Sequence, residues 1–332
     1  MPGLFSVYLV CMSDRAPRYL PPGGALVEVT YRTIQGRMLL RPSRRLNEIV
    51  VGNLARAQRL CSEDASNGVS RDPVELIGIV VLSNHIHLLL WVKTQYQLSK
   101  LLEHFAGNTA REVNRLHDWS GSLWQRRYQG ICVTTEEAAQ VARLEYLLAQ
   151  GVKEHLVEKV EDWPGIHFGK ALLEGRSLLA GKWIDRTKKH RAKNQGQELP
   201  RAEYEETLTV ELKPLPCWAH LSWGKYIRRI QGMVERIEEE AAAERALRET
   251  EVVGVQEICE KEPQTRPNTV STSPAPRVHA ATTKERKAWW EAFAWFVVAY
   301  RAAADLLKQG QLDAPFPEGC FPPGLPFVGD TG

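Results

Sequence analysis

The stretch Val80-Val81-Leu82-Ser83-Asn84-His85-Ile86-His87-Leu88-Leu89-Leu90-Trp91 constrains the fold most. Two apolar runs flank a short polar break, the pattern of two buried strands joined by a tight turn at Ser83-Asn84. Alternate residues of a strand share a face, so His85 and His87 stand side by side while Ile86 turns into the core. Two imidazoles at that spacing can chelate one divalent cation. They can equally be satisfied core histidines, and the pair alone does not decide.

The surrounding pattern extends the unit. Residues 25–40 alternate loosely and are rich in Val, Thr and Tyr, which predicts a strand with a bend at Gly36. Leu46, Val50, Leu54 and Leu60 recur at helical spacing behind a capping serine, predicting a helix over 43–65. Strands over 74–82 and 85–92, a helix over 97–117 and a strand over 127–134 follow. Thr134-Thr135-Glu136-Glu137 then reads as an N-cap with acidic residues in the first turn of a helix running to about Lys153. This order predicts an α+β fold with helices against an antiparallel sheet.

That unit closes near Trp163-Pro164-Gly165, which divides the chain into a basic N-terminal segment (1–24), a catalytic domain (25–170), a polar linker (171–215) and a mostly helical C-terminal extension (216–332). Within the extension a charged helix is expected over 226–253 and disorder over the Pro-, Ser- and Thr-rich 262–283. A helix over 285–309 carries Trp289, Trp290, Phe293, Phe296 and Tyr300 on one face, expected to dock on the N-terminal domain or to self-associate.

Composition narrows the function classes only a little. A net charge of +3 permits nucleic acid as a partner without arguing for it. The six cysteines include no CxxC pair, which suits a reducing compartment and speaks against a zinc knuckle or a disulfide scaffold. No apolar run approaches the ~20 residues that span a bilayer, so a cytoplasmic protein with no membrane partner is expected.

Tyr146 and Gln150 lie four apart on the helix after the fourth strand and share a face. Ala139, Ala142 and Ala149 lie on or beside that face, so the phenol stands in cleared space. There it can reach a backbone phosphate, with the Gln150 carbonyl oxygen as a third ligand to a cation. The plainer alternative is a tyrosine at the rim of the core and a solvated glutamine.

Four stretches in order carry a resemblance. Asn84-His85-Ile86-His87-Leu88-Leu89-Leu90 resembles the HUH motif (His-hydrophobic-His) of the single-tyrosine transposases, and Tyr146-x-x-x-Gln150 is similar to their nucleophile helix. Ser122-Leu123-Trp124-Gln125-Arg126-Arg127-Tyr128 resembles the G-x-[LF]-W-x-x-R-Y run of the REP-associated tyrosine transposases, and Gln150-Gly151-Val152-Lys153 through Trp163-Pro164 their NPVRAGLV…PEDWPWSS run. The likeness covers residues 15–170. Gln150 stands where the REP-associated branch has asparagine, although glutamine is usual in the insertion-sequence branch, and Gly151 stands where the REP-associated run has proline.

The resemblance implies a ferredoxin-like HUH domain that nicks and rejoins single-stranded DNA by transesterification. His85, His87 and Gln150 would hold Mg²⁺ or Mn²⁺, and Tyr146 would attack the phosphate to form a 5′-phosphotyrosine. Arg126, Arg127, Tyr128, Arg143, Lys153, Asn84, Arg15 and Arg18 are the expected DNA contacts, hairpin-forming ends the expected target, and a homodimer one possible assembly. Two other classes stay open: a domesticated, non-mobile binder of DNA hairpins with the same fold, and a His-x-His metallohydrolase unrelated to DNA. The second would need a third His or a carboxylate near the pair and a catalytic base, and no such grouping lies nearby in the sequence.

Overall fold

The computed structural model describes residues 18–62, 72–267, 276–318 and 320–323. Arg15 and most of the basic N-terminal segment lie outside these residues.

The Val-rich run Ala25–Arg32 forms β1, and the long amphipathic helix α1 (Arg44–Ser62) carries the chain to β2 (Glu75–Leu82). A turn at Ser83-Asn84 leads into β3 (His85–Val92), helix α2 (Gln95–Leu116) returns across the sheet, and β4 (Gln129–Val133) completes the unit. The sheet order is β2-β3-β1-β4, with every pairing among these four antiparallel. This is the ferredoxin-like βαββαβ arrangement. Val27, Val29 and Tyr31 face the layer of α1 and α2, where the Tyr31 hydroxyl donates to the Leu102 carbonyl. By alternation Glu28 and Thr30 face the other way, and the register sets Thr30 opposite His87.

Helix α3 (Glu137–Leu148) crosses that second face. It ends where Gly151 takes φ +87°, a conformation open to glycine and closed to the proline of the related motif. The tail that follows covers the outer edge of β2. Trp163 is fully buried with its indole nitrogen donating to the Val81 carbonyl, and the Val81 amide donates to Ile166. His167 then caps α4 (Phe168–Leu173) by accepting from the Gly169 amide. Burial lowers the His167 pKa to about 4, so the ring is neutral and its capping lone pair is free.

The expected linker is folded. Within 171–215, β5 (Leu178–Ile184) and β6 (Glu205–Glu211) pair antiparallel and pack on α1, with the charged helix α5 (Arg186–Asn194) between them. The contact is backbone to backbone: a Cβ on Gly52 of α1 would lie 2.3 Å from the Lys182 carbonyl carbon, and one on Gly181 would lie 2.2 Å from the Gly52 amide nitrogen. Arg186 at the start of α5 grips both carboxylate oxygens of Glu112 on α2.

Helix α6 (Trp223–Arg248) is charged outside but buries Tyr226, Ile230, Met233, Val234 and Ile237 at helical spacing, and the short α7 (Val255–Glu260) follows it. The expected disorder over 262–283 fails at both ends. The Met38 amide donates to the Thr265 carbonyl, and Val278–His279 form β7, which pairs in parallel with β4; residues 268–275 lie outside the described set. Helix α8 (Thr283–Lys308) docks its aromatic face as expected, with Trp289, Phe293 and Phe296 around the Tyr19 ring at centroid distances of 5.5, 6.0 and 5.0 Å. Among the described residues no helix is long and apolar enough to cross a membrane.

An exposed helical glycine gains about 1 kcal/mol on change to alanine, but Gly52 has no room for the methyl group. Gly52→Ala should therefore lower stability by about 1–3 kcal/mol, the usual cost of overpacking, read as a fall in Tm. A rise in Tm would contradict the close approach of β5 to α1.

Candidate metal and nucleophile site

Strand alternation puts His85 and His87 on one face of β3, and their ring centroids lie 4.9 Å apart. Tyr146 reaches the same place from α3, its ring 5.7 Å from that of His87. Gln150, just past the end of α3, is buried; it donates to the Tyr146 carbonyl, and its side chain also interacts with the His85 ring and the Tyr146 phenol. One face of one chain thus gathers the two imidazoles, the amide and the phenol.

The two imidazoles are held alike. His85 Nδ1 lies 2.6 Å from Asn84 Oδ1, and His87 Nδ1 lies 3.2 Å from Thr30 Oγ1 and 3.4 Å from Glu28 Oε1. An oxygen stands at each Nδ1, and an imidazole that donates there presents its Nε2 lone pair, the form that ligates a cation. Burial, followed by the nearby His87 and Arg32, pushes the His85 pKa well below its usual value and keeps that ring neutral. The donor set of two imidazoles and an amide oxygen fits a divalent cation. It would be a modest one for a hard cation, which prefers oxygen ligands, and among the described residues no group of three His, Cys, Asp or Glu able to hold a metal occurs.

Two cations attend the phenol. Lys153 Nζ lies 3.4 Å from the centroid of the Tyr146 ring and the Arg143 guanidinium carbon 5.0 Å from it. Burial lowers the Lys153 pKa. The Tyr146 pKa is raised, first by burial and then by the Glu28 and Glu154 carboxylates, against the pull of the Gln150 hydrogen bond and of Arg143. The resting phenol is therefore protonated, and a further positive charge must arrive before it becomes a good nucleophile.

The remaining expected DNA contacts divide. Arg126 and Arg127 are exposed. Tyr128 is buried, its hydroxyl accepting from Gln95 and its ring covered by the Arg18 guanidinium 3.6 Å from the centroid, so it has no free face for a base. Arg18 also donates to the Tyr128 carbonyl; burial, then the nearby Arg127, lowers its pKa to about 10. The Asn84 side chain is engaged with His85. Arg15 lies outside the described residues.

Sequence reasoning missed Glu28, Thr30 and His279. Glu28 is buried on β1 with Oε2 3.0 Å from His279 Nε2 and 3.7 Å from Arg143 Nη1. Burial alone would raise its pKa, but His279 and His87 outweigh that and hold the carboxyl well below its usual range. A lone charge inside the apolar run Ala25-Leu26-Val27-Glu28-Val29 is the signal that could have exposed it. For His279, brought in by two residues of strand from the distant C-terminal region, the sequence offers no such signal.

Comparison with known proteins agrees with this region. Residues 55–150 match the family described as "Transposase IS200 like", a segment that contains both histidines and Tyr146 and ends on Gln150. No curated protein matches the chain. Among solved structures, a candidate transposase from Deinococcus radiodurans R1 shares 16% identity at a TM-score of 0.27, covering 40% of this chain and 95% of that one. The REP-associated tyrosine transposase bound to a REP hairpin shares 16% identity at a TM-score of 0.33, covering 46% of this chain and 81% of that one.

In the metal-free protein Tyr146 should ionise above pH 10, because its raised pKa favours the neutral phenol. The difference in ultraviolet tyrosinate absorbance between wild type and Tyr146→Phe checks this over an alkaline titration. A Tyr146 signal appearing well below pH 10 without metal would contradict the electrostatic account.

Proposed function

We propose that this chain, whose residues 55–150 carry an IS200-like transposase domain, is a DNA nickase and strand-transferase that uses Tyr146 as its nucleophile. The observation that carries the reading is the meeting of the Tyr146 ring with the His85–His87 pair and Gln150 within one chain. A cation of the Mg²⁺ or Mn²⁺ type on His85, His87 and Gln150 would polarise a phosphate and offset the charge it gains in the transition state.

The chain's own groups have defined tasks in this reading. The Tyr146 oxygen attacks phosphorus in line; the new bond is a 5′-phosphotyrosine and the broken one is to the 3′ oxygen, which leaves as a free hydroxyl. Transesterification conserves the phosphodiester energy, so rejoining to another 3′ end needs no nucleotide cofactor. Arg143 and Lys153, already at the phenol, would stabilise its phenolate and then hold the phosphate. Arg126 and Arg127 would grip the backbone of the same strand. Single-stranded DNA with hairpin-forming ends is the proposed substrate class, the one that the resemblance of the His85–His87 and Tyr146 motifs implies.

Hairpin oligonucleotides from the DNA flanking the gene, end-labelled and incubated with Mn²⁺, test this on a denaturing gel. A covalent protein–DNA adduct should form with the wild type, require the metal and vanish in Tyr146→Phe. Hairpin binding with no adduct under any metal would overturn the enzyme in favour of a domesticated hairpin binder.

A further inference from the structure

We infer that Glu28 is a positioning residue for His87, and that His279, from the C-terminal half, locks Glu28 in that role. The inference rests on the metal site proposed above. Glu28 bridges the two rings: its Oε1 lies 3.4 Å from His87 Nδ1 and its Oε2 lies 3.0 Å from His279 Nε2. All three side chains are largely shielded, with 6% exposure for Glu28 and for His87 and 16% for His279.

A carboxylate behind a ligating histidine fixes the ring with its near nitrogen protonated and makes the far nitrogen a better donor. At His87 the near nitrogen is Nδ1, so the donor is Nε2. Thr30 Oγ1, 3.2 Å from the same Nδ1, can serve as a neutral acceptor, but a charged one holds a ring N–H about twice as strongly. Glu28 can do this only if its carboxylate cannot turn. Oε2 has no aligned hydrogen bond of its own; His279 Nε2 stands 3.0 Å from it and the Arg143 guanidinium nitrogen Nη1 3.7 Å from it.

His279 reaches this place because β7 adds to the free edge of β4, pairing Cys132 with Val278 and Val133 with His279. The Thr134 amide donates to the His279 carbonyl, and the Glu136 carboxylate accepts from the Ala281 amide at 2.8 Å. These contacts hold β7 by its backbone, and the His279 ring faces Glu28 and Arg143 together, its Nε2 3.0 Å from Glu28 Oε2 and 3.4 Å from Arg143 Nη1. His279 lies well beyond residues 55–150. The C-terminal half therefore builds the back wall of the site.

The test uses the full chain with Mn²⁺ alone, its affinity read by electron paramagnetic resonance of the free ion and the His87 tautomer read by nitrogen-15 NMR. Glu28→Ala should weaken Mn²⁺ binding by about tenfold or more and lower the fraction of His87 protonated on Nδ1. Glu28→Gln keeps an oxygen acceptor and should recover part of both. His279→Ala leaves the β7 backbone pairing in place and should shift both in the same direction by a few-fold. Should Glu28→Ala fail to fold, the nearly isosteric Glu28→Gln decides, and it must bind more weakly than wild type. Folded Glu28 or His279 variants with wild-type affinity and an unchanged His87 tautomer overturn the inference. Wild-type protein that binds no Mn²⁺ overturns instead the metal site on which it rests.

Discussion

The pairing of β3 against β1 is the constraint on which the site depends. Its register sets Thr30 across from His87 and Glu28 across from Leu89, so strand alternation delivers two imidazoles, a hydroxyl and a carboxylate to one face. A slip of one residue would turn His85 and His87 into the layer of α1 and α2 and put Ile86 and Leu88 under Tyr146. The register is secured by burial. Ile86, Leu88 and Leu90 on one side, and Val27, Val29 and Tyr31 beside them, are all buried. The polar face is thus paid for by the apolar one behind it.

The helix that carries Tyr146 is fixed from both sides. The sheet lies beneath α3, and α6 lies along its outer surface, with Arg229 3.5 Å from Glu137 and Arg236 3.3 Å from Glu145. The indole nitrogen of Trp218 donates to Glu137 at 2.7 Å, and His167 lies under the end of the helix by the Leu148 and Gln150 backbone. Tyr146 is consequently presented by a packed helix and Gln150 by the turn that closes it, the positional control that the proposed in-line attack would need. The C-terminal half, for which the sequence offers no motif, contributes to this support through α6 and β7.

How much of this was legible follows from the length scale of each signal. The βαββαβ unit announces itself because its strands and helices carry long apolar repeats, and His85 and His87 sit at a spacing that strand geometry converts directly into a shared face; the helix expected to run to about Lys153 ends at Leu148, so Gln150 reaches the site from the turn beyond it. The β5–β6 pair is harder to read. Its alternation of Leu208, Val210 and Leu212 is brief, and it follows a helix, Arg186–Asn194, made almost wholly of charged and polar residues. Strand β7 is two residues long and gains its place only by adding to β4. Tyr128 was assigned to DNA by its place in a motif, whereas its burial under Arg18 is a tertiary fact. Glu28 lies between these cases: a single charge in an apolar strand shows that something must pair with it, but not what.

The central claim is that His85, His87 and Gln150 form one cation site facing Tyr146. Anomalous diffraction at the manganese edge from crystals grown with Mn²⁺ tests it most directly. The account predicts a single strong peak within bonding distance of the Nε2 atoms of His85 and His87 and of the Gln150 amide oxygen, with the Tyr146 hydroxyl close by. Manganese bound elsewhere on the chain with none between the two histidines would contradict it.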